Sequence, residues 1–302
     1  MSLLEVSGLT KQFGTSTAVD RLSFTIAQGR CMALLGPNGA GKTTTLRMLS
    51  GLLEPTSGTI RFNDAKQQTD IRASIGYLPQ YPSFFNWMSG KEFLTFSAEL
   101  ANLSKKEATV RADELLERVS LKDAAKRRIG SYSGGMKQRL GLAQAIVHRP
   151  KLLILDEPVS ALDPQGRRDV MELLSELKRE TTVLFSTHVL HDAEEICDDV
   201  LIMSNGKIVV EGELQQLMRT HQKPQLELVV AQRHMEWARS LSNRPYIESL
   251  EMTANRISIQ VKDLDLARIS LLREIADSNI TIERFEVGKT TLEDLFMKAV
   301  QA

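Results

Sequence analysis

The run Gly36-Pro37-Asn38-Gly39-Ala40-Gly41-Lys42-Thr43-Thr44 contains G-x-x-x-x-G-K-[ST] without a gap. Glycines let the backbone curl so that successive N–H groups point at phosphate oxygens. A helix opening at Lys42 adds its positive N-terminal end. Lys42 would reach the β- and γ-phosphates of a nucleotide as a point charge, and the Thr43 hydroxyl would ligate Mg²⁺. Taken alone, the loop leaves kinases, GTPases and motor ATPases all open.

A second chemical unit is Lys151-Leu152-Leu153-Ile154-Leu155-Asp156-Glu157, an apolar run ending in two carboxylates. In a parallel sheet the carboxyl ends of strands face the ligand crevice. Asp156 there would hold Mg²⁺, directly or through a water. Glu157 would face the water that attacks the γ-phosphorus, as general base or polarising group. Two solvated loop acids are the alternative, and the apolar residues directly before them speak against it. A third unit is Ser131-Tyr132-Ser133-Gly134-Gly135-Met136. Ser133 can cap a helix and the two glycines leave backbone N–H groups uncovered, making a second anion site at a helix start. By itself this is also what an ordinary Ser N-cap looks like.

The elements that must position these groups are legible in outline. Residues 3–30 alternate apolar and polar with Gly punctuation, an antiparallel β pattern. Residues 31–35 form a short continuous apolar strand, followed by a helix over 42–50 and a strand over 58–62. Helical spacing dominates 83–150, with segments near 90–102, 105–120 and 134–148. Strands over 151–156 and 181–187 then alternate with helices over 165–179 and 189–196. A hairpin turns at Ser204-Asn205-Gly206. The fold class expected is α/β, a P-loop NTPase with a mixed-sheet core, an antiparallel β subdomain and an inserted helical subdomain at 83–150. A polar stretch at 219–225 reads as a linker, placing the domains at 1–220 and 221–302. The second has the order β-α-β-β-α-β, a small ferredoxin-like α+β domain. Its last helix starts at Thr291 with Asp294 completing a capping box.

Composition sets bounds on function. Across 302 residues, 42% are hydrophobic and 25% charged, and Lys plus Arg (38) equals Asp plus Glu (38). A neutral chain has no overall pull toward nucleic acid or anionic lipid, so no nucleic-acid partner is expected. The run Lys126-Arg127-Arg128 reads as a solvated face. Cys31 and Cys197 give neither a disulfide framework nor a zinc spacing, and Cys31 reads as a buried thiol. His148, His191, His221 and His234 have no metal-binding spacing. No basic n-region precedes a long apolar core at the N-terminus. No apolar stretch approaches the ~20 residues that cross a bilayer. If the protein acts on a membrane, another chain supplies the spanning part.

Ser-Gly-Gly shortly before an Asp-Glu strand, with a phosphate loop upstream, resembles the signature motif of ABC ATPases. The resemblance covers roughly residues 3–218, with the other family elements in order. Phe13 falls where the family places an adenine-stacking aromatic. Gln80, after Gly76-Tyr77-Leu78-Pro79, matches the Q-loop. Ser160-Ala161-Leu162-Asp163 matches the D-loop, and His188 the switch histidine. Where the family commonly has Leu-Ser-Gly-Gly-Gln, this chain has Tyr132 and Met136 at the outer positions. Tyr-Ser-Gly-Gly-Met, and the ending Thr291-Leu292-Glu293-Asp294-Leu295-Phe296, are similar to the branch working with ABC-2 type export permeases.

The resemblance implies an ATP-hydrolysing transport subunit peripheral to the cytoplasmic face of the cell membrane. It implies ATP and Mg²⁺ as cofactors, a second copy as a homodimer partner, and an integral-membrane ABC-2 type permease. Each ATP would lie between the phosphate loop of one chain and Ser133, Gly134 and Gly135 of the other. Asp163 would link the two sites, His188 would hold the γ-phosphate and water, and Gln80 would join the Mg²⁺ site to the helical subdomain. Phe84, Phe85, Trp87 and Met88 are either part of a permease groove or hydrophobic core. A soluble ABC ATPase acting on ribosomes or DNA is the competing function. Against it, ribosome-acting relatives usually carry two cassettes and DNA-repair relatives carry long coiled coils. The C-terminal domain would sense a small molecule, or only pack or dimerise.

Overall fold

The computed structural model describes residues 2–63, 71–160, 162–220, 224–288 and 291–301. The chain opens with β1 (Ser2–Phe13) and β2 (Ser16–Ala27), continues through β3 (Cys31–Leu35) and α1 (Lys42–Leu49), and returns in β4 (Ser57–Phe62). β1 pairs antiparallel with both β2 and β4 in a three-stranded sheet. Leu4, Leu9 and Ile26 point from it into a core shared with Leu34, Leu46 and Leu49.

The larger sheet takes β3 together with β5 (Ile75–Leu78), β6 (Leu152–Asp156), β7 (Thr182–Thr187), β8 (Asp199–Ser204) and β9 (Lys207–Glu213). Its order is β5-β6-β7-β3-β8-β9, parallel except for β9. β3, β6 and β7 are buried at every position, which is why β3 and residues 152–155 of β6 read as continuous apolar runs. β5 was not expected as a strand. It has only four residues and contains Gly76, too little for a periodicity signal.

Between β5 and β6 lies the helical insertion, α2 (Gly90–Leu100), α3 (Lys105–Arg118) and α4 (Gly134–Ala145). Capping boxes Ser89/Glu92 and Ser104/Glu107 start the first two. The helix expected to reach His148 ends at Ala145 instead. Arg149 has φ of +54° and Pro150 follows, so the helical ladder cannot continue. Arg111 satisfies the freed carbonyls, donating to Val147 O at 3.2 Å and Ile146 O at 3.0 Å. The core continues with α5 (Pro164–Leu177) and α6 (Leu190–Ile196). Cys31 is buried as expected, and Cys197 sits 4.0 Å from it, sulfur to sulfur.

Contacts divide the chain into two units, Met1–Leu214 with Phe296–Ala302, and Gln215–Leu295. Helix α7 (Leu214–Thr220), also unforeseen, ends at the start of the expected linker, of which residues 221–223 lie outside the described residues. The second unit carries β10 (Gln225–Val230), α8 (Met235–Ser240), β11 (Ile247–Thr253), β12 (Arg256–Val261), α9 (Leu264–Asp277) and β13 (Ile282–Val287). Its antiparallel sheet has the order β11-β12-β10-β13, as a ferredoxin-like domain requires. Leu226, Leu228 and Val230 line its core with Ile257, Ile259 and Val261. The terminal α10 (Leu292–Gln301) begins with the expected box, Thr291 N donating to Asp294 Oδ2 at 3.1 Å and Asp294 N to Thr291 Oγ1 at 3.2 Å. Among the described residues no helix is long and apolar enough to cross a membrane.

Candidate active site

Parallel register brings the chemistry together. Leu35 pairs with Thr187, and Asp156 with Ser186. The phosphate loop after β3, Glu157 after β6 and His188 after β7 therefore leave the sheet at one carboxyl-terminal edge, the ligand side of such sheets.

The loop curls as its glycines allow. Gly41 has φ of +99°, and a Cβ there would lie 2.5 Å from Ala18 O, so glycine is required on two counts. Lys42 is buried, and its ammonium donates to Gly36 O at 2.7 Å and Pro37 O at 3.1 Å. No carboxylate lies within ion-pair distance of it among the described residues. Burial pulls its pKa down, against the pull of Glu157 and Asp156. A buried ammonium whose hydrogen bonds go to carbonyl oxygens, with no ion-pair partner among the described residues, fits an anionic ligand. Thr43 Oγ1 donates to Asp156 Oδ1 at 3.2 Å. Hydroxyl and carboxylate oxygens side by side are the donor set of a hard divalent cation.

Ser186 joins the two acids. Its hydroxyl donates to Asp156 Oδ1 at 2.7 Å and accepts from Glu157 N at 2.9 Å. Sequence reasoning missed it. Its place two residues before His188 was the only sequence signal, and its alignment with Asp156 comes from the β6–β7 register. Glu157 sits in the left-handed region, φ +48°, uncommon for any residue but glycine and typical of functional sites. Ser160 N and Oγ both donate to its carbonyl, at 3.2 and 3.1 Å. The Glu157 carboxylate is buried and accepts at Oε2 from His188 Nδ1, 2.6 Å away. A carboxylate only accepts, so the proton belongs on Nδ1, and Nε2 of the half-exposed ring has no partner among the described residues.

The remaining expected residues are placed but not joined to this network. No hydrogen bond links Gln80, Phe13 or Ser133–Gly135 to it among the described residues. Gln80 follows β5, whose Leu78 pairs with Leu155. Phe13 ends β1, half exposed, with Lys11 Nζ 5.2 Å from its ring centroid. Ser133 caps α4 by accepting from Met136 N at 3.2 Å, with no acidic residue in that first turn. Gly135 abuts Leu162, whose Cδ2 would be 3.3 Å from an added Cβ. Asp163 caps α5, accepting from Gly166 N at 3.1 Å, while Ala161 lies outside the described residues.

The Tyr132 departure has a packing reason. Its ring is buried and its hydroxyl donates to Ala124 O at 2.7 Å. Gly90 makes room, because a Cβ there would lie 2.4 Å from that hydroxyl. Of the four hydrophobic residues after Gln80, Met88 is buried and Phe84 stacks edge-on to Phe93 at 5.1 Å. Phe85 and Trp87 are exposed and cluster with Phe96, at centroid distances of 6.0 and 6.3 Å from Phe85. Lys126, Arg127 and Arg128 are exposed. His148 bonds Ile75 O at 3.1 Å, and burial lowers its pKa. His221 lies outside the described residues.

Known proteins identify the family. The family profile described as ABC transporter matches residues 19–160, and the profile described as ATP-binding protein DrrA1-3-like, C-terminal domain, matches 212–300. The ABC transporter ATP-binding protein YxlF of Bacillus subtilis (strain 168) is 49% identical over 301 residues, 99% of this chain and 100% of that one. The bacitracin transport ATP-binding protein BcrA of Bacillus licheniformis is 33% identical over 312 residues, 99% of this chain and 97% of that one. A dimeric ATP-binding cassette solved in a post-hydrolysis state with ADP and Pi matches with a TM-score of 0.64 at 25% identity, covering 70% of this chain and 98% of that one. The chain therefore belongs to the ABC transporter family, as an ATP-binding and ATP-hydrolysing subunit.

Proposed function

We propose that this subunit drives export through a separate ABC-2 type permease, lying against the cytoplasmic face of the cell membrane. The chain from Thr43 through Asp156, Ser186 and Glu157 to His188 carries the chemical half of this reading. The bacitracin-transport relative supports the transport half, and nothing comparable favours action on ribosomes or DNA.

Two copies close head to tail around two ATP molecules. The Gly36–Thr44 loop, with Pro37, Asn38, Gly39 and Ala40, cradles the phosphates, and Lys42 holds the β/γ oxygens. Ser133, Gly134 and Gly135 of the second copy complete the site with the exposed start of α4. Phe13 stacks on adenine, a contact worth about 1–3 kcal/mol. Asp163, next to the Leu162 that packs on Gly135, relays closure between sites. Thr43 and Asp156, with Gln80, would hold Mg²⁺, which supplies charge neutralisation of the phosphates when bound.

Glu157 accepts the proton of the attacking water while the γ-phosphorus bond to the bridging oxygen of ADP breaks. His188, whose Nδ1 is engaged by Glu157, holds the γ-phosphate and the water through Nε2. Gln80 stands at the start of the helical insertion and passes the state of the site to it. The exposed Phe85–Trp87–Phe96 cluster on that insertion is the docking patch for a cytoplasmic helix of the permease. The division near residue 220 into an ATP-binding domain and an accessory domain belongs to the same proposal, supported by the grouping of contacts.

Glu157→Gln tests this reading. Turnover should stop, ATP should still bind, and ATP should trap a dimer on size-exclusion chromatography. Undiminished ATPase activity in that variant would remove Glu157 from its role.

A further inference from the structure

Helix α9 turns one face into the core of its own unit. Ala267 and Leu271 are fully buried there, with Leu264 and Ile275 packed beside them. Its flank is fixed by Glu274, which accepts from Trp237 Nε1 at 3.0 Å and pairs with Arg244. The opposite face should be polar in a surface helix. Instead Leu266, Ile269 and Leu272 are 55%, 48% and 45% exposed. Spaced by three, they form one stripe. Asp265 and Arg273 flank it. Asp265 is 81% exposed and pairs with Arg268 at 2.9 Å. Arg273 is exposed, with no side-chain partner among the described residues.

We infer that this face is covered by α9 of a second copy, packed antiparallel across a two-fold axis at Ile269. In a two-fold contact every pairing occurs twice. With the axis at Ile269, the residues three before and three after it meet, and these are Leu266 and Leu272. Those four before and four after meet as well, and these are Asp265 and Arg273. Each apolar side chain of the stripe thus faces an apolar one, and each flanking charge faces its opposite. Parallel packing would set like charges together. An anionic membrane fits poorly, because α9 and its cap carry Asp263, Asp265, Glu274 and Asp277 against only Arg268 and Arg273.

The contact is small. A helix of 14 residues is about 21 Å long, too short to reach the ~1,200 Å² of a standard interface. Its use is therefore to keep two chains at high effective concentration between rounds of ATP-driven closure. The inference rests on the proposal that two copies act together, but it requires no nucleotide.

The full-length chain, free of nucleotide, is examined by sedimentation equilibrium at concentrations up to about 100 μM. Reversible dimerisation is expected. Ile269→Glu should abolish it, and Asp265→Arg or Arg273→Asp alone should weaken it about tenfold, equivalent to about 1.4 kcal/mol. The double charge swap should restore it. A chain that stays monomeric throughout overturns the inference, as does a dimer indifferent to Ile269→Glu or a double swap that does not recover. A monomer whose binding to phosphatidylglycerol vesicles is lost in Ile269→Glu assigns the face to the membrane and also overturns it. Adding Ile269→Glu to Glu157→Gln separates the two readings: the ATP-trapped dimer should survive while the nucleotide-free dimer is lost.

Discussion

Replacing Ser186 by Ala tests how the two acids are held. Its hydroxyl is fully buried, donates to the Asp156 carboxylate at 2.7 Å and accepts from Glu157 N at 2.9 Å. Losing a hydrogen bond to a charged group costs about 1.5–3 kcal/mol, and a buried N–H left unsatisfied costs about 1–3 kcal/mol. Part of this overlaps, so about 3 kcal/mol of stability should go. For a unit of this size the thermal midpoint then falls by roughly 6–12 °C. The same hydroxyl holds Glu157 in its left-handed backbone, φ +48°. If half the loss appears as misplacement of the Glu157 carboxylate, turnover falls about tenfold. Lys42, the phosphate loop and Thr43 are untouched, so nucleotide binding persists. Thermal unfolding, steady-state ATPase activity and equilibrium binding of a fluorescent ATP analogue read the three effects separately. An unchanged midpoint with full turnover would refute the positioning role of Ser186. A loss of stability with full turnover would leave it a packing residue only.

Two further outcomes follow from the helical insertion. Gly90→Ala lies in the first turn of a helix, where alanine normally stabilises by up to about 1 kcal/mol; here it should destabilise by about 1–3 kcal/mol, because the new Cβ would sit 2.4 Å from the Tyr132 hydroxyl. Tyr132→Leu in the same chain should relieve the clash, giving a coupling of at least about 1 kcal/mol in urea denaturation, and strict additivity would show that the two residues do not oppose each other. Trp87→Ala removes an exposed ring and should change stability by no more than about 0.5 kcal/mol. It should nonetheless weaken co-purification with the permease at least tenfold, and unchanged assembly and coupling would remove the docking patch.

Elements whose signal is local could be read from the residues alone. The phosphate loop is a contiguous run of eight residues, legible without reference to the rest of the chain. Strand β3 and the Leu152–Leu155 stretch of β6, buried on both faces, announce themselves as unbroken apolar runs. The ferredoxin-like order of the second unit follows from alternation of period two with helical spacing, and Thr291 with Asp294 marks the last helix of the chain. β5 escaped notice because four residues, one of them Gly76, are too few to show a period. The overrun of α4 to His148 reflects a stop set by Arg149 and Pro150, not by a loss of apolar pattern.

Pairing across distance emerges only on folding. Asp156 and Ser186 are 30 residues apart, and only the β6–β7 register makes them hydrogen-bond. The sequence marked Glu157 and His188 separately, yet their 2.6 Å contact needs β6 and β7 side by side. Tyr132 looked like a departure from a motif until Gly90, in another helix, supplied the space for it. Hydrophobicity likewise cannot tell Met88 and Phe84, which turn inward, from Phe85 and Trp87, which do not. A side chain's type fixes the chemistry it can perform, whereas its partner is fixed by strand register and helix packing, which form only when the whole chain is folded.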